Sequence, residues 1–383
     1  MKTDTNVFNS KLPDVGTTIF TVMSALSNEH GALNLSQGFP EFDCDPILQN
    51  LVAEHMSAGR NQYAPMQGLP VLRDALAAKR SGYASEPSPN HITITAGGTE
   101  AIYSAISGLI RPGDEVILFD PAYDCYDPSV RLNGGVPVHL ELAYPDYRIP
   151  IDQLEAAINE RTRLIIINNP HNPLGVTIPH EDMLEIQRLV LENDVLLLSD
   201  EVYEHIVFDD KKHTSVLDYP ELYARSFVIF SFGKTFHNTG WKMGYCVAPD
   251  ELTKEFQKVH QFVVFSCNTP VQFALADYLT QDKSYMELPS FFERKRNVFL
   301  ESIQGSRFKP LKCEGTYFML LDYSEISDMN DVEFAKKMTI ENKIASIPLS
   351  VFYASKRDDK LLRFCFAKEE STLIKGGEIL CQI

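Results

Sequence analysis

Short apolar runs alternate with longer amphipathic segments along the middle of the chain, and this alternation predicts its secondary structure. The run at residues 91–95 (HITIT) predicts a strand, and apolar residues at helical spacing predict a helix over residues 101–110. The same reasoning predicts further strands at 115–120, 136–141, 164–168, 195–199 and 227–231, and further helices at 151–159 and 181–191.

Strands separated by helices of this length indicate βαβ units and a largely parallel sheet. The strands are continuously apolar, as expected for a sheet covered on both faces. Because ligands of such sheets bind beyond the carboxyl ends of the strands, the chemistry is expected there.

After about residue 283 the pattern changes, and strands at 308–312, 316–322 and 361–366 predict a smaller α+β layer. We assign residues 46–282 to a large domain, 283–383 to a small C-terminal domain, and 1–45 to an N-terminal segment that belongs with the small domain.

The composition of the chain argues against several classes of function. The 383 residues carry 35 Lys and Arg against 52 Asp and Glu, a net charge of −17, which disfavours binding to nucleic acid or to anionic lipid. No apolar run reaches the roughly 18–20 residues of a membrane span, and no signal sequence is visible. Seven scattered Cys without a paired motif indicate reduced thiols, so we expect a cytoplasmic protein.

Common nucleotide, hydrolase and metal motifs are absent, and the ten His show no metal-ligand spacing, so no metal is expected. Gly97 and Gly98 separate the first predicted strand from its helix, an arrangement typical of anion sites and also of ordinary tight turns. Asp200 follows an apolar strand, either as the partner of a buried cation or as a helix cap.

Two cationic residues complete the candidates. Lys234 follows the strand at 227–231, where a desolvated amine becomes a nucleophile towards carbonyls; the alternative is a side chain that reaches solvent. Arg363 stands among five apolar neighbours, either half-exposed on an edge strand or gripping a carboxylate. An anion cradle, an Asp, a Lys and an Arg together suit one cofactor, pyridoxal 5′-phosphate (PLP), and an amino-acid substrate.

At these residues the chain resembles the fold-type-I PLP enzymes, specifically the class I/II aminotransferases. Their fold would be α/β, with a large domain built on a mostly parallel seven-stranded sheet between helices and a smaller α+β domain. Residues 231–244 (SFGKTFHNTGWKMG) and 347–352 (IPLSVF) are similar to the methionine aminotransferase and kynurenine–oxoglutarate transaminase branch. Other segments that carry the resemblance are 34–40, 61–63, 96–100, 168–173, 199–203 and 361–366.

The resemblance implies a role for each matching residue. Lys234 would form the covalent aldimine with PLP and move the substrate α-proton, with Asp200 paired to the ring nitrogen. Asn172 and Tyr203 would hydrogen-bond the ring oxygen, and Tyr123 would stack on the ring. Phosphate would be held by Gly98, Thr99, Ser231, Lys242 and, from a second subunit, Tyr63. Many relatives have Arg where Lys242 stands, and a Lys offers a point charge instead of a fork.

Substrate binding follows from the same resemblance. Arg363 would grip the α-carboxylate, aided by Asn172 and the backbone at Gly38. Side-chain pocket candidates are Ile19, Phe39, Tyr63, Tyr123, Phe352 and, from a neighbouring subunit, Phe265. These candidates are apolar or aromatic, although such residues are also the commonest residues of a protein core. No Arg is evident that could bind a carboxylate on the substrate side chain.

The sequence therefore predicts a homodimeric aminotransferase with shared active sites. An L-amino acid, with methionine, aromatic or glutamine-like donors preferred, would pass its amino group to a 2-oxo acid by a ping-pong reaction. The alternative is a cysteine-S-conjugate or cystathionine β-lyase on the same scaffold, because only the fate of the α-carbanion differs. A non-catalytic PLP-binding regulator is the other rival, against which the presence of Lys234 counts.

Overall fold

A computed structural model describes residues 9–142, 144–281 and 284–383. The predicted domain division between 282 and 283 and the first eight residues lie outside the described residues. The strands are β1 (Leu33–Asn34), β2 (Ile92–Thr95), β3 (Glu115–Asp120), β4 (Val136–Glu141), β5 (Thr162–Asn168), β6 (Leu196–Asp200), β7 (Ser226–Ser231), β8 (Gly244–Val247), β9 (Lys309–Pro310), β10 (Phe318–Asp322), β11 (Ile344–Ala345), β12 (Ile347–Pro348) and β13 (Leu361–Cys365).

The helices lie mainly between these strands. They are α1 (Ile19–His30), α2 (Pro46–Ser57), α3 (Pro70–Lys79), α4 (Gly98–Leu109), α5 (Tyr126–Leu132), α6 (Ile151–Ala157), α7 (His180–Glu192), α8 (Pro220–Tyr223), α9 (Phe232–Thr235), α10 (Asp250–Val263), α11 (Thr269–Gln281), α12 (Leu288–Ser302), α13 (Asp331–Lys337) and α14 (Glu370–Leu380). No helix in the described ranges is long and apolar enough to cross a bilayer.

Seven strands form the main sheet in the order β2-β8-β7-β6-β5-β3-β4. All neighbouring pairs are parallel except those made by β8, which runs antiparallel to β2 and β7. Alternate residues of β5 enter two separate cores, Leu164 and Ile166 on one face and Ile165 and Ile167 on the other. The sheet is thus covered on both faces, as its apolar strands predict.

The C-terminal strands form an antiparallel sheet in the order β12-β13-β10-β9, so β13 is central. The strands predicted at 308–312 and 316–322 are shorter in the structure, at Lys309–Pro310 and Phe318–Asp322. Strand β1 pairs in parallel with β11, which joins the N-terminal segment to residues near the C-terminus.

The carboxyl ends of the parallel strands meet at one edge of the main sheet. Asn168 ends β5, Asp200 ends β6 and Ser231 ends β7. Gly244, at the start of the antiparallel β8, pairs with both Thr95 and Ser231 and so brings the end of β2 to the same edge.

Candidate active site

A cavity of about 270 Å³ lies at this edge of the sheet and brings most of the predicted site residues together. The predicted residues that line it are Gly38, Phe39, Gly98, Thr99, Tyr123, Asn172, Asp200, Tyr203, Ser231, Lys234, Lys242 and Arg363. They come from the N-terminal segment, the main sheet and the C-terminal sheet.

Asp200 is 3% exposed and ends β6. Its carboxylate accepts hydrogen bonds from the Tyr126 hydroxyl at 2.7 Å and the Val202 N–H at 3.3 Å. Burial raises the pKa of Asp200 to about 6, although the bond from Tyr126 lowers it. Within the described residues no cation lies within 4 Å of this carboxylate, so it can pair with a cationic ligand. A turn follows instead of a helix, so Asp200 caps no helix.

Lys234 lies in α9, the short helix that follows β7, and is partly buried. Its Nζ donates to the Tyr317 hydroxyl at 2.8 Å and to the Gly38 carbonyl at 3.3 Å, and so does not reach out to solvent. Burial lowers the pKa of Lys234 to about 8, so the neutral, nucleophilic amine is accessible near neutral pH.

An anion cradle stands at the amino end of α4. Gly97 precedes this helix with φ of +84°, a conformation that glycine adopts without strain. A Cβ added to Gly97 would lie 3.4 Å from the Lys242 Nζ, so the cation stands directly over this backbone. Lys242 has no ion-pair partner among the residues placed by the structure. A cation beside the positive end of a helix is unfavourable unless an anion binds to both, so this position suits an anionic group of a ligand.

Arg363 is 1% exposed and lies on the central strand β13, which excludes the edge-strand alternative. Its guanidinium donates to the Asn172 side-chain oxygen at 2.8 Å and to the Ser36 carbonyl at 3.4 Å, whereas its Nε has no partner in the described ranges. No carboxylate of those ranges lies within 4 Å, so this buried cation can receive the carboxylate of a ligand. Its Cζ lies 3.9, 5.3 and 5.3 Å from the ring centroids of Phe318, Phe20 and Phe352.

Two predicted pocket residues, Ile19 and Phe352, are not part of the wall that the described residues form around the cavity. Phe20 lines the cavity, whereas Ile19, the predicted residue, is absent from the cavity wall as described and packs against the core. Both belong to the first turn of α1, and the direction of that helix decides which side chain faces the cavity. Phe352 is buried against Arg363 and Phe20.

Tyr63 and Phe265 lie on the surface, outside the wall that the described residues form around the cavity. Tyr63 is 81% exposed and packs edge-on against Phe265, 5.1 Å away between ring centroids. Phe262 and Val263 are also exposed nearby in the chain, so this region is an apolar surface patch.

Sequence reasoning missed several residues of the site. Phe20, Gln37 and Phe318 line the cavity. The hydroxyls of Tyr126 and Tyr317 form hydrogen bonds with Asp200 and Lys234. Gln37 could have been predicted, because it precedes Gly38 in the segment 34–40 that carries the family resemblance. The other four residues reach the site only through tertiary packing.

Known proteins resemble this chain over nearly its whole length. The family model described as "Aminotransferase class I and II" matches residues 31–375. The methionine aminotransferase of Escherichia coli (strain K12) is 49% identical over 98% of this chain and 98% of its own length. Kynurenine–oxoglutarate transaminase 3 of Rattus norvegicus is 35% identical over 94% of this chain and 87% of its own length.

A solved structure gives the same result in three dimensions. The crystal structure of YbdL from Escherichia coli, which identifies a methionine aminotransferase function for that protein, superposes with a TM-score of 0.96. It is 48% identical and covers 98% of this chain and 99% of its own.

Proposed function

The chain belongs to the class I and II aminotransferases, and from that premise we propose which donors it uses and how its residues act. It is a transaminase of fold type I, from a PLP-dependent family, whose substrates are amino acids and oxo acids. We propose that PLP occupies the cavity and is linked to Lys234, and that amino transfer is ping-pong. When bound, PLP supplies a carbonyl that condenses with amines and a ring that takes up the electrons of the breaking Cα–H bond.

The cavity suits PLP at both of its ends. The amino end of α4, Thr99, Ser231 and the unpaired Lys242 would hold the phosphate. The Asp200 carboxylate, which has no ion-pair partner among the described residues, would hold a protonated ring nitrogen. The hydrogen bond from Tyr126 keeps Asp200 oriented for this contact.

Four more residues would fix the ring and the substrate. Tyr123 lines the cavity as a stacking surface, and Tyr203 and Asn172 offer polar groups to the ring oxygen. Arg363, already oriented by Asn172, would bind the substrate α-carboxylate and thereby hold the Cα–H bond beside the Lys234 amine. Once released, that amine accepts the α-proton at Nζ, for which its lowered pKa suits it.

The cavity walls favour donors with uncharged side chains. Its lining cations within the described residues are Lys234, Lys242 and Arg363, and each already has a proposed role. No cation remains for a distal carboxylate, whereas Phe20, Phe39 and Phe318 provide apolar surface. We therefore propose methionine, aromatic or glutamine-like donors, and the similarity to a methionine aminotransferase supports the first.

We further propose a homodimer with shared active sites, in which Tyr63 and Phe265 serve the partner's cavity. The exposed aromatic pair, remote from the wall of its own cavity, supports this arrangement. A cytoplasmic location is supported by the seven cysteines, which are all free thiols.

The observation that carries the proposal is the set of charged side chains without an ion-pair partner in the described ranges, Lys234, Asp200 and Arg363, that line one cavity. The test loads the protein with PLP, removes the excess, and records absorbance after adding single L-amino acids without an oxo acid. Methionine, phenylalanine, glutamine and kynurenine should convert the bound cofactor to its aminated form faster than aspartate does. Absence of bound cofactor would overturn the assignment of Lys234, and preference for aspartate would overturn the proposed donors.

A further inference from the structure

The Tyr317 hydroxyl lies between two groups of the proposed site. It is fully buried and precedes β10. The Lys234 Nζ donates to its oxygen at 2.8 Å, and the hydroxyl donates to the Gly38 carbonyl at 2.7 Å. Since a hydroxyl has one hydrogen and a carbonyl can only accept, the Tyr317 oxygen must be the acceptor towards Lys234.

Two hydrogens of the amine are therefore taken up by protein acceptors, one by the Tyr317 oxygen and one by the Gly38 carbonyl at 3.3 Å. The amine also lies 5.4 Å from the ring centroids of both Tyr203 and Tyr317. The third direction at Nζ is not used by either hydrogen bond and is available towards the cavity that Lys234 lines. In the neutral amine this direction carries the lone pair.

Tyr317 itself is held rigidly. Its carbonyl accepts a hydrogen bond from the Phe366 N–H at 2.9 Å, just beyond the strand that carries Arg363. Its ring packs against Phe318, Tyr203 and Phe292, with centroids 4.9, 5.2 and 5.6 Å away. The position of the hydroxyl is thus fixed by the C-terminal sheet, whereas Lys234 follows the main sheet.

We propose that Tyr317 is a positioning residue for the Lys234 amine: it orients that amine towards the substrate whenever the amine is not bonded to the cofactor. The proposal rests on the proposed function, in which the free amine accepts the α-proton. Burial raises the pKa of Tyr317 well above its usual range, so the hydroxyl keeps its hydrogen and remains committed to Gly38. By accepting from Nζ it also stabilises the protonated amine.

Tyr317→Phe tests the proposal because it removes one oxygen and keeps the ring contacts. The matched control is Tyr323→Phe, which removes another buried hydroxyl, bonded to the Met329 carbonyl and remote from the cavity. The holoenzyme is first converted by methionine to its aminated form, in which Lys234 is free. Trace acetylation by acetic anhydride between about pH 6 and pH 10, read by peptide mass spectrometry, then gives the titration midpoint of Lys234.

We expect the unmodified chain and Tyr323→Phe to share one midpoint, which lies below that of an ordinary lysine because the amine is buried. In Tyr317→Phe the midpoint should fall by about one pH unit, because a hydrogen bond to the charged form is lost. The rate of amino transfer from methionine should fall roughly tenfold to hundredfold, with a larger isotope effect for 2-deuterated methionine and unchanged PLP affinity.

An unchanged midpoint or an unchanged isotope effect in Tyr317→Phe would overturn the proposal. So would loss of bound PLP, since Tyr317 would then act on the cofactor. Failure of the unmodified chain to yield the aminated form would count against the proposed function alone. The same labelling on the chain freed of PLP, where Lys234 is also free, would then still decide whether Tyr317 acts on the amine.

Discussion

At the scale of single residues, the site is defined by charges that the protein leaves uncompensated. Asp200 and Arg363 are almost fully buried, and neither has an oppositely charged partner within 4 Å among the described residues. Such charges are costly in a protein interior unless a ligand balances them. Bound cofactor and substrate should therefore stabilise the chain as well as react in it.

The lowered pKa of Lys234 gives a pH dependence of cofactor uptake. The neutral amine is the reactive form, and its fraction grows up to tenfold per pH unit below about pH 8 and levels off above. We expect the rate at which the cofactor-free chain bonds to PLP to follow this curve when measured by stopped-flow absorbance. A midpoint near that of an ordinary lysine, above pH 10, would contradict the burial of the amine.

The charged residues could be predicted from sequence because each interrupts or ends an apolar run. Asp200, Lys234 and Arg363 were identified in this way, and all three line the cavity. Tyr317 could not be found, because its local sequence is that of a core aromatic residue and its partner Gly38 lies 279 residues away. Phe20 could not be predicted for a similar reason, because helical periodicity alone does not fix which residue of α1 meets the cavity.

At the scale of elements, the amino end of α4 gives a test with a matched control. Gly97→Ala places a methyl group beside Lys242, whereas Gly113→Ala adds one at a similar φ of +91° with no atom within 4 Å. Both should lose stability through backbone strain, Gly97→Ala by about 1–3 kcal/mol because its φ of +84° and ψ of +173° lie in a region that is essentially restricted to glycine. Only Gly97→Ala should weaken PLP binding, roughly tenfold or more, as measured by equilibrium dialysis. Equal losses in both variants would mean that Gly97 matters only for the backbone.

A buried ion pair fastens α3 to the turn that follows β6. Glu204 binds Arg80 at 2.7 Å and Lys79 at 3.0 Å, in the segment that carries Tyr203. Arg80 and Lys79 hold the pKa of Glu204 well below its usual range despite burial, so the stabilisation is present above the unfolded pKa and is lost on acidification. The turn with Asp200 and Tyr203 is thereby tied to the helical layer.

Glu204→Gln should lower the free energy of unfolding by about 3–5 kcal/mol, because it leaves two buried cations without a counter-charge. Urea denaturation of the full chain measures this loss. Glu192→Gln, which breaks an exposed pair with Arg188, is the control and should leave the denaturation midpoint unchanged. A small effect of Glu204→Gln would show that Arg80 finds another partner.

Elements were predicted well where a strand is long and apolar. The strands expected at 115–120 and 136–141 have these bounds in the structure, and most other limits differ by one or two residues. Strand β8 was not identified individually, because its four residues follow directly on a glycine-rich segment. Its antiparallel direction depends on pairing with β2 and β7, which no local pattern encodes.

At the scale of the whole molecule, shared active sites can be tested by complementation. Lys234→Ala and Tyr63→Ala should each be nearly inactive as pure dimers. In a mixture dissociated and reassembled at equal concentrations, half the dimers are hybrids, and each hybrid has one site with both residues intact. About a quarter of the unmodified activity should return. No recovery, despite hybrids detected by native mass spectrometry, would place Tyr63 outside the partner's site.

The pairing of β1 with β11 has a consequence for the order in which the chain folds during synthesis. Leu33 and Asn34 leave the ribosome long before Ile344 and Ala345, their partners in the sheet, have been made. Ser36 likewise waits for Arg363, 327 residues later. Such long loops close late, so the cavity forms only after Arg363 has been made. A nascent chain therefore has no partly competent site that could capture cofactor, and a truncation that removes residue 344 and all later residues should leave the N-terminal strand without its partners in the sheet and in the site.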